Sequence, residues 1–162
     1  MSVSIAEEEV QAIGPDYLKG HYAAWNYFQT VDTPANKKFV EAFKAKYGES
    51  RVTNDPMEAA YIAVYLWKQA VEKAGTADDL TKVRAAAYGQ TFTAPEGQVT
   101  LQPNHHLAKI VRIGQVKEDG LFEIVNATGS AVKPVPWNQF VEATKGFACD
   151  WSDPIKGGKY KT

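Results

Sequence analysis

Ser2 and Ser4 alternate with Val3 and Ile5 at the start of the chain, a period of two that predicts the end of a short strand. The run Ala6-Glu7-Glu8-Glu9 then opens a helix, its acidic first turn suiting the positive end of the helix dipole. Gly14-Pro15 breaks that helix, and the mostly apolar stretch over residues 21–28 predicts a buried strand. Thr33 or Asp32 caps the next helix, with Pro34 in its first turn, Phe39, Val40 and Phe43 at helical spacing, and Tyr47-Gly48 at its end. A polar loop leads to Pro56 and the longest helical pattern, residues 57–74. Asp55 is its expected cap, Ala60, Val64, Trp67 and Val71 its apolar stripe, and Gly75 its stop.

Asp78 or Asp79 opens a further helix through Tyr88. After the turn Ala94-Pro95-Glu96-Gly97 come Val99 to Leu101 and two β-like runs, Leu107 to Val116 and Leu121 to Val125, joined by a hairpin signal at Asp119-Gly120. From Thr128 the chain is rich in Pro, Gly and Lys with isolated aromatics, Trp137, Phe140, Phe147 and Trp151. That composition predicts an extended tail with little regular structure. The order of elements is that of an α/β chain, yet two β segments before a long helical block make an incomplete parallel sheet. A piece of a larger α/β protein is the expectation.

Composition narrows the function. The chain has 162 residues, 44% of them hydrophobic, and 18 Lys+Arg against 19 Asp+Glu give a formal net charge of -1. No electrostatic excess favours a polyanionic partner, so nucleic acid is not expected, and the end KGGKYKT reads as a solvated terminus. No apolar stretch reaches membrane-spanning length, and MSVSIAEEEV lacks the basic start and long apolar core of a signal peptide; made alone, this chain is expected to stay cytoplasmic. The single cysteine, Cys149, has no internal partner and is read as an unpaired thiol, or as one that pairs outside this chain. No motif supports a catalytic pairing of Cys149 with His21, His105 or His106. Neighbouring residues on a strand point to opposite faces, so His105-His106 is not expected to hold a metal.

The stretches VSIAEEEV, GHYAAWNYFQTVDTPANKKFVEAFKAKYG, TNDPMEAAYIAVYLWKQAVEKAG, APEGQVTLQPNHHLAKIVRIGQV, GLFEIV and VKPVPWN with the later CDW resemble the C-terminal part of the urea-type substrate-binding proteins of ABC transporters, over nearly the whole chain. The resemblance extends, more distantly, to short-chain amide binders and the amide-sensing regulator of an amidase operon. It implies a partial type I periplasmic-binding-protein fold, α/β, in which a C-terminal fragment contributes to both lobes and ends in an extended tail. Residues 1–29 would belong to the second lobe, 30–106 to the first, 107–127 to a second-lobe hairpin and 128–162 to the tail. The resemblance also implies no chemistry and no cofactor. Its partners would be a small-molecule ligand, urea or a short-chain amide, the membrane permease of the transporter and the N-terminal part of the same protein. The full-length parent would be periplasmic or otherwise extracytoplasmic.

Urea and amides present a carbonyl acceptor and several N–H donors, so their site needs carboxylates, hydroxyls and aromatic walls. In the resembled fold strand ends and helix N-termini face the cleft. Ser2, Ser4 and Glu7 after the opening strand, Trp25 and Tyr27 ending the second, and Asp55 with Glu58 opening the long helix are the candidate ligand contacts. Each has a plainer reading: helix capping for Ser4 and Glu7, packing or hinge anchoring for Trp25 and Tyr27, a cap and solvated first turn for Asp55 and Glu58. Phe28 is expected to anchor the hinge. Two rival functions are a cytoplasmic amide sensor and, more distantly, a branched-chain amino acid binder; a urea or amide hydrolase lacks its constellation.

Overall fold

The computed structural model describes residues 1–135 and 140–142, together with the backbone of Phe147–Cys149 and Lys159–Lys161. It divides into two units, Met1–Val132 and Lys133–Thr162.

The first unit holds two groups of elements. In one, helix α1 (Glu7–Ile13) is closed at its start by Glu9, whose Oε2 accepts the Ala6 N–H at 2.9 Å. Gly14, at φ 113°, makes the break, and α2 (Pro15–Leu18) follows with proline at its first position. Strand β1 (Tyr22–Trp25) lies antiparallel to β5 (Arg112–Val116), and β5 to β6 (Phe122–Ala127), giving the order β1-β5-β6. Val10, Ala23, Phe28, Val116 and Phe122 form the core beneath. Gly114 is required there, because a Cβ would stand 2.8 Å from the Phe28 ring. The opening strand is reduced to one parallel bridge, Ser2 to Ala23.

The second group contains α3 (Pro34–Tyr47), α4 (Asp55–Ala74), α5 (Leu80–Ala87), β2 (Thr91–Ala94), β3 (Gly97–Leu101) and β4 (Leu107–Ala108), the strands ordered β2-β3-β4. Thr33 caps α3 by accepting the Asn36 N–H, and Asp79 caps α5 by accepting that of Lys82. Asn54, not Asp55, caps α4: its Oδ1 accepts the Met57 N–H at 3.1 Å, which frees the Asp55 carboxylate for a distant partner. Ile62, Leu66, Ala94 and Val99 make the core of this group.

Three expectations change. The strand anticipated over 21–28 stops at Trp25, because the next two N–H groups donate to a side chain rather than to a neighbouring strand. The run Leu107 to Val116 is divided: β4 pairs with β3, β5 pairs with β1, and residues 109–111 pass between the sheets. On α4 the buried stripe is Glu58, Ile62, Leu66 and Ala70, whereas Ala60 lies open and Val64 and Trp67 are 64% and 58% exposed. Helix α4 is apolar around more than half its circumference, so a period of 3.6 is satisfied on two faces and cannot choose between them.

In the second unit β7 (Phe147–Cys149) pairs antiparallel with β8 (Lys159–Lys161), a short ladder within the anticipated tail. Trp137 and Trp151 lie outside the described residues, as does the Cys149 side chain.

Candidate functional site

The chain passes between the two groups of the first unit twice, at residues 26–33 and 109–111, and its buried charge gathers there. At the first crossing, Asp55 Oδ2 accepts the N–H groups of Asn26 (3.0 Å) and Tyr27 (2.9 Å). A carboxylate at the first position of α4 thus does for the β1 end what a strand partner would have done. Asn26 Nδ2 donates to the Ile110 carbonyl at 2.9 Å, tying one crossing to the other. Arg112 donates to the carbonyl oxygens of Asn26 and Glu96, and Lys109 Nζ stands 2.9 Å from Glu96 Oε1 and 3.6 Å from Glu58 Oε2. Glu58 Oε1 in turn accepts the Glu96 N–H at 3.2 Å.

Tyr27 and Glu7 complete the arrangement. The Tyr27 hydroxyl donates to Asn36 Oδ1 at 2.7 Å and lies 2.8 Å from Thr53 Oγ1, while Asn36 Nδ2 donates to the carbonyls of Gln29 and Val31. Glu7 Oε1 accepts the Gln29 N–H at 2.7 Å, so α1 also grips the first crossing. Four carboxylates, Glu7, Asp55, Glu58 and Glu96, therefore share the region with two cations, Lys109 and Arg112.

That imbalance moves pKa values. Burial pushes Glu7 up to about 7 against the pull of the Gln29 N–H, with Asp55 and Glu9 adding to the rise. Burial, reinforced by Glu96, pushes Glu58 up to about 8 although Lys109 opposes it. Glu96 is raised by burial as well, less effectively because Lys109 is its direct partner. Burial disfavours the Lys109 ammonium, yet Glu96, Glu58 and Asp55 together outweigh it and hold the lysine above its ordinary value. Burial raises the Tyr27 hydroxyl far above the ordinary tyrosine range, leaving it a hydrogen-bonding group and not an acid.

Of the residues anticipated from sequence, Glu7, Tyr27, Asp55 and Glu58 converge on the crossings, all buried and all bonded to the chain itself. Ser2, Ser4 and Trp25 stand apart from this cluster. Ser2 Oγ accepts the N–H groups of Ser4 and Ile5, and the half-buried Trp25 donates its indole N–H to the Ile5 carbonyl at 2.8 Å. Sequence reasoning missed Asn26, Gln29, Glu96, Lys109 and Arg112. The signal was present for two of them: Lys109 and Arg112 interrupt an otherwise apolar run, and a charge within a buried strand demands a partner. His105 meets the Tyr88 hydroxyl at 3.0 Å and His106 the Asn104 carbonyl; no metal-holding group of three side chains occurs among the described residues.

Known proteins are similar to this chain in sequence or in fold. A "Limonene hydroxylase" of Geobacillus stearothermophilus is 36% identical over 76% of this chain and 22% of its own length. The "Leu/Ile/Val-binding protein homolog 6" of Brucella abortus is 26% identical over 72% of this chain and 30% of its own. The crystal structure of an ABC transporter solute-binding protein from R. palustris in complex with 4-hydroxybenzoate superimposes with a TM-score of 0.69 at 24% identity, covering 79% of this chain and 36% of that one. The chain thus spans between 22% and 36% of the length of these relatives. Residues 1–143 match the family described as the periplasmic binding protein domain, and with the partial type I fold described above the chain belongs to that family.

Proposed function

We propose that this chain is part of the solute-binding component of an ABC transporter and takes urea or a short-chain amide between two lobes, without chemistry. On this reading α1, α2 and the sheet β1-β5-β6 belong to the second lobe, α3 to α5 and the sheet β2-β3-β4 to the first, and residues 26–33 and 109–111 are hinge segments. The observation that carries the reading is the polar tie between those crossings: Asn26 bonded to Ile110, Asp55 to two backbone N–H groups, Arg112 to two carbonyls. Such a tie fixes where the two groups can turn against each other.

The ligand class is argued from charge. Relatives are named for aliphatic amino acids and one structure holds 4-hydroxybenzoate, ligands that bring a carboxylate. Here Lys109 and Arg112 are already engaged by Glu96 and by carbonyl oxygens, which supports an uncharged polar ligand. Ser4, exposed at the start of α1, with Ser2 and Trp25 beside it, offers hydroxyls and a flat aromatic wall. Glu7, Tyr27, Asp55 and Glu58 are assigned to the hinge and act on the ligand through its geometry. The open face of α4 around Val64 and Trp67 supports a further partner, the remainder of a first lobe in a protein of the relatives' length. An extracytoplasmic parent that delivers its ligand to a membrane permease completes the reading.

Calorimetric titration of urea, acetamide, leucine and 4-hydroxybenzoate into the protein tests the ligand class. Saturable heat with urea or acetamide is expected. Heat with leucine or 4-hydroxybenzoate and none with urea or acetamide would overturn it, and release of ammonia from urea would overturn the non-enzymatic part.

A further inference from the structure

Glu58 and Glu96 come from different elements, α4 and the turn between β2 and β3, and both are fully buried. Their carboxylates face a single ammonium from the second crossing. Lys109 is seated on Glu96 at 2.9 Å and only near Glu58 at 3.6 Å, and the other cation, Arg112, also turns to Glu96, with 3.9 Å between its Nη1 and Glu96 Oε2. Glu58 Oε1 has its N–H donor, but Glu58 Oε2 is buried with no hydrogen-bond partner. Arg112 feels the charge of Glu58 as well as that of Glu96, so two cations serve the carboxylates of Glu58, Glu96 and Asp55; Tyr61 on the same helix and Tyr27 from the first crossing supply no positive charge. An ionised carboxylate so placed lacks a full counter-charge, whereas a neutral one needs none.

We propose that Glu58, Glu96 and Lys109 form a proton-gated clasp: a protonated Glu58 keeps α4 joined to the β2–β3 turn and the second crossing, and ionisation of Glu58 loosens that joint. The inference concerns the two crossings alone and holds whichever solute the cleft takes. In the clasp Glu58 titrates at about 8, against an ordinary value of 4.5. The closed form therefore binds the proton more tightly than the open form. Its advantage is complete below the ordinary value, declines as pH rises between the two, and is gone above the higher one. Opening of the clasp grows by up to about tenfold per pH unit in that window and is level beyond it.

Amide hydrogen exchange of the full chain, corrected for the intrinsic pH dependence of exchange, reads this at the Glu96 N–H. In the wild type its protection is expected to fall by up to about tenfold per unit between about pH 5 and 8. Glu58→Gln keeps an acceptor for that N–H and cannot ionise, so the fall in protection shrinks there to the share left by the raised Glu96 carboxyl, while Glu7→Gln, at the first crossing, keeps the Glu58 share of the slope. A level wild-type profile, or an unchanged slope in Glu58→Gln, would overturn the clasp. Carbon-13 NMR of the Glu58 carboxyl in the wild type decides the matter without a variant. A midpoint near 8 supports the clasp, and one near the ordinary glutamate value removes it.

Discussion

Asp55 is the residue on which the first crossing depends, since one buried oxygen holds the N–H groups of both Asn26 and Tyr27. Asp55→Ala leaves both donors without a partner and is expected to cost about 3 kcal/mol in a denaturant titration, with Asp55→Asn losing clearly less because an acceptor remains. Glu7 gives a prediction of opposite character, in which acid stabilises. Its carboxyl titrates at about 7 in the folded chain against 4.5 ordinarily, so its contribution is complete below pH 4.5 and disappears as pH rises through 7. The difference corresponds to roughly 3 kcal/mol, and unfolding free energies measured from pH 4.5 to 8 should fall less steeply in Glu7→Gln than in the wild type by this amount, the Glu58 share of the slope remaining.

Helix boundaries were legible because their signals are local. Thr33, Pro34 and Gly48 bracket α3, Gly75 at φ 69° closes α4, and Asp79 opens α5, each acting within a turn of its own position. Strand extents were less legible, because β1 ends where a carboxylate 28 residues away captures the Tyr27 N–H, and the run from Leu107 divides to serve two sheets. The face of α4 was misread for a related reason: residues 58, 62, 66, 70 and residues 60, 64, 67, 71 are equally periodic, and only the position of β2 and β3 decides between them. Leu66→Ala should accordingly cost about 2–5 kcal/mol, while Trp67→Ala, on the exposed side, should change the stability of the isolated chain by less than about 0.5 kcal/mol. Gly114→Ala is expected to cost roughly 1–3 kcal/mol, since the new methyl meets the Phe28 ring and the Phe122 Cβ, and thermal denaturation reads it directly.

At the scale of the whole molecule, composition said only what to leave out, and the expected division into two lobes rests on the resemblance, since no local pattern carries it. Of the candidate cluster at the crossings, half was legible. Glu7, Tyr27, Asp55 and Glu58 were picked from helix starts and strand ends, yet the groups that bind them together, Asn26, Glu96, Lys109 and Arg112, are joined across up to 86 residues of sequence. The central claim is that a small polar solute draws these two groups together about the tied crossings, which requires a higher affinity for the closed arrangement. Spin labels at Tyr47→Cys, on the exposed end of α3, and Val125→Cys, on the exposed side of β6, report it most directly, with Cys149→Ser as background. The account predicts that saturating urea or acetamide shortens and narrows the distance distribution between the labels; a distribution unchanged by either solute would contradict it.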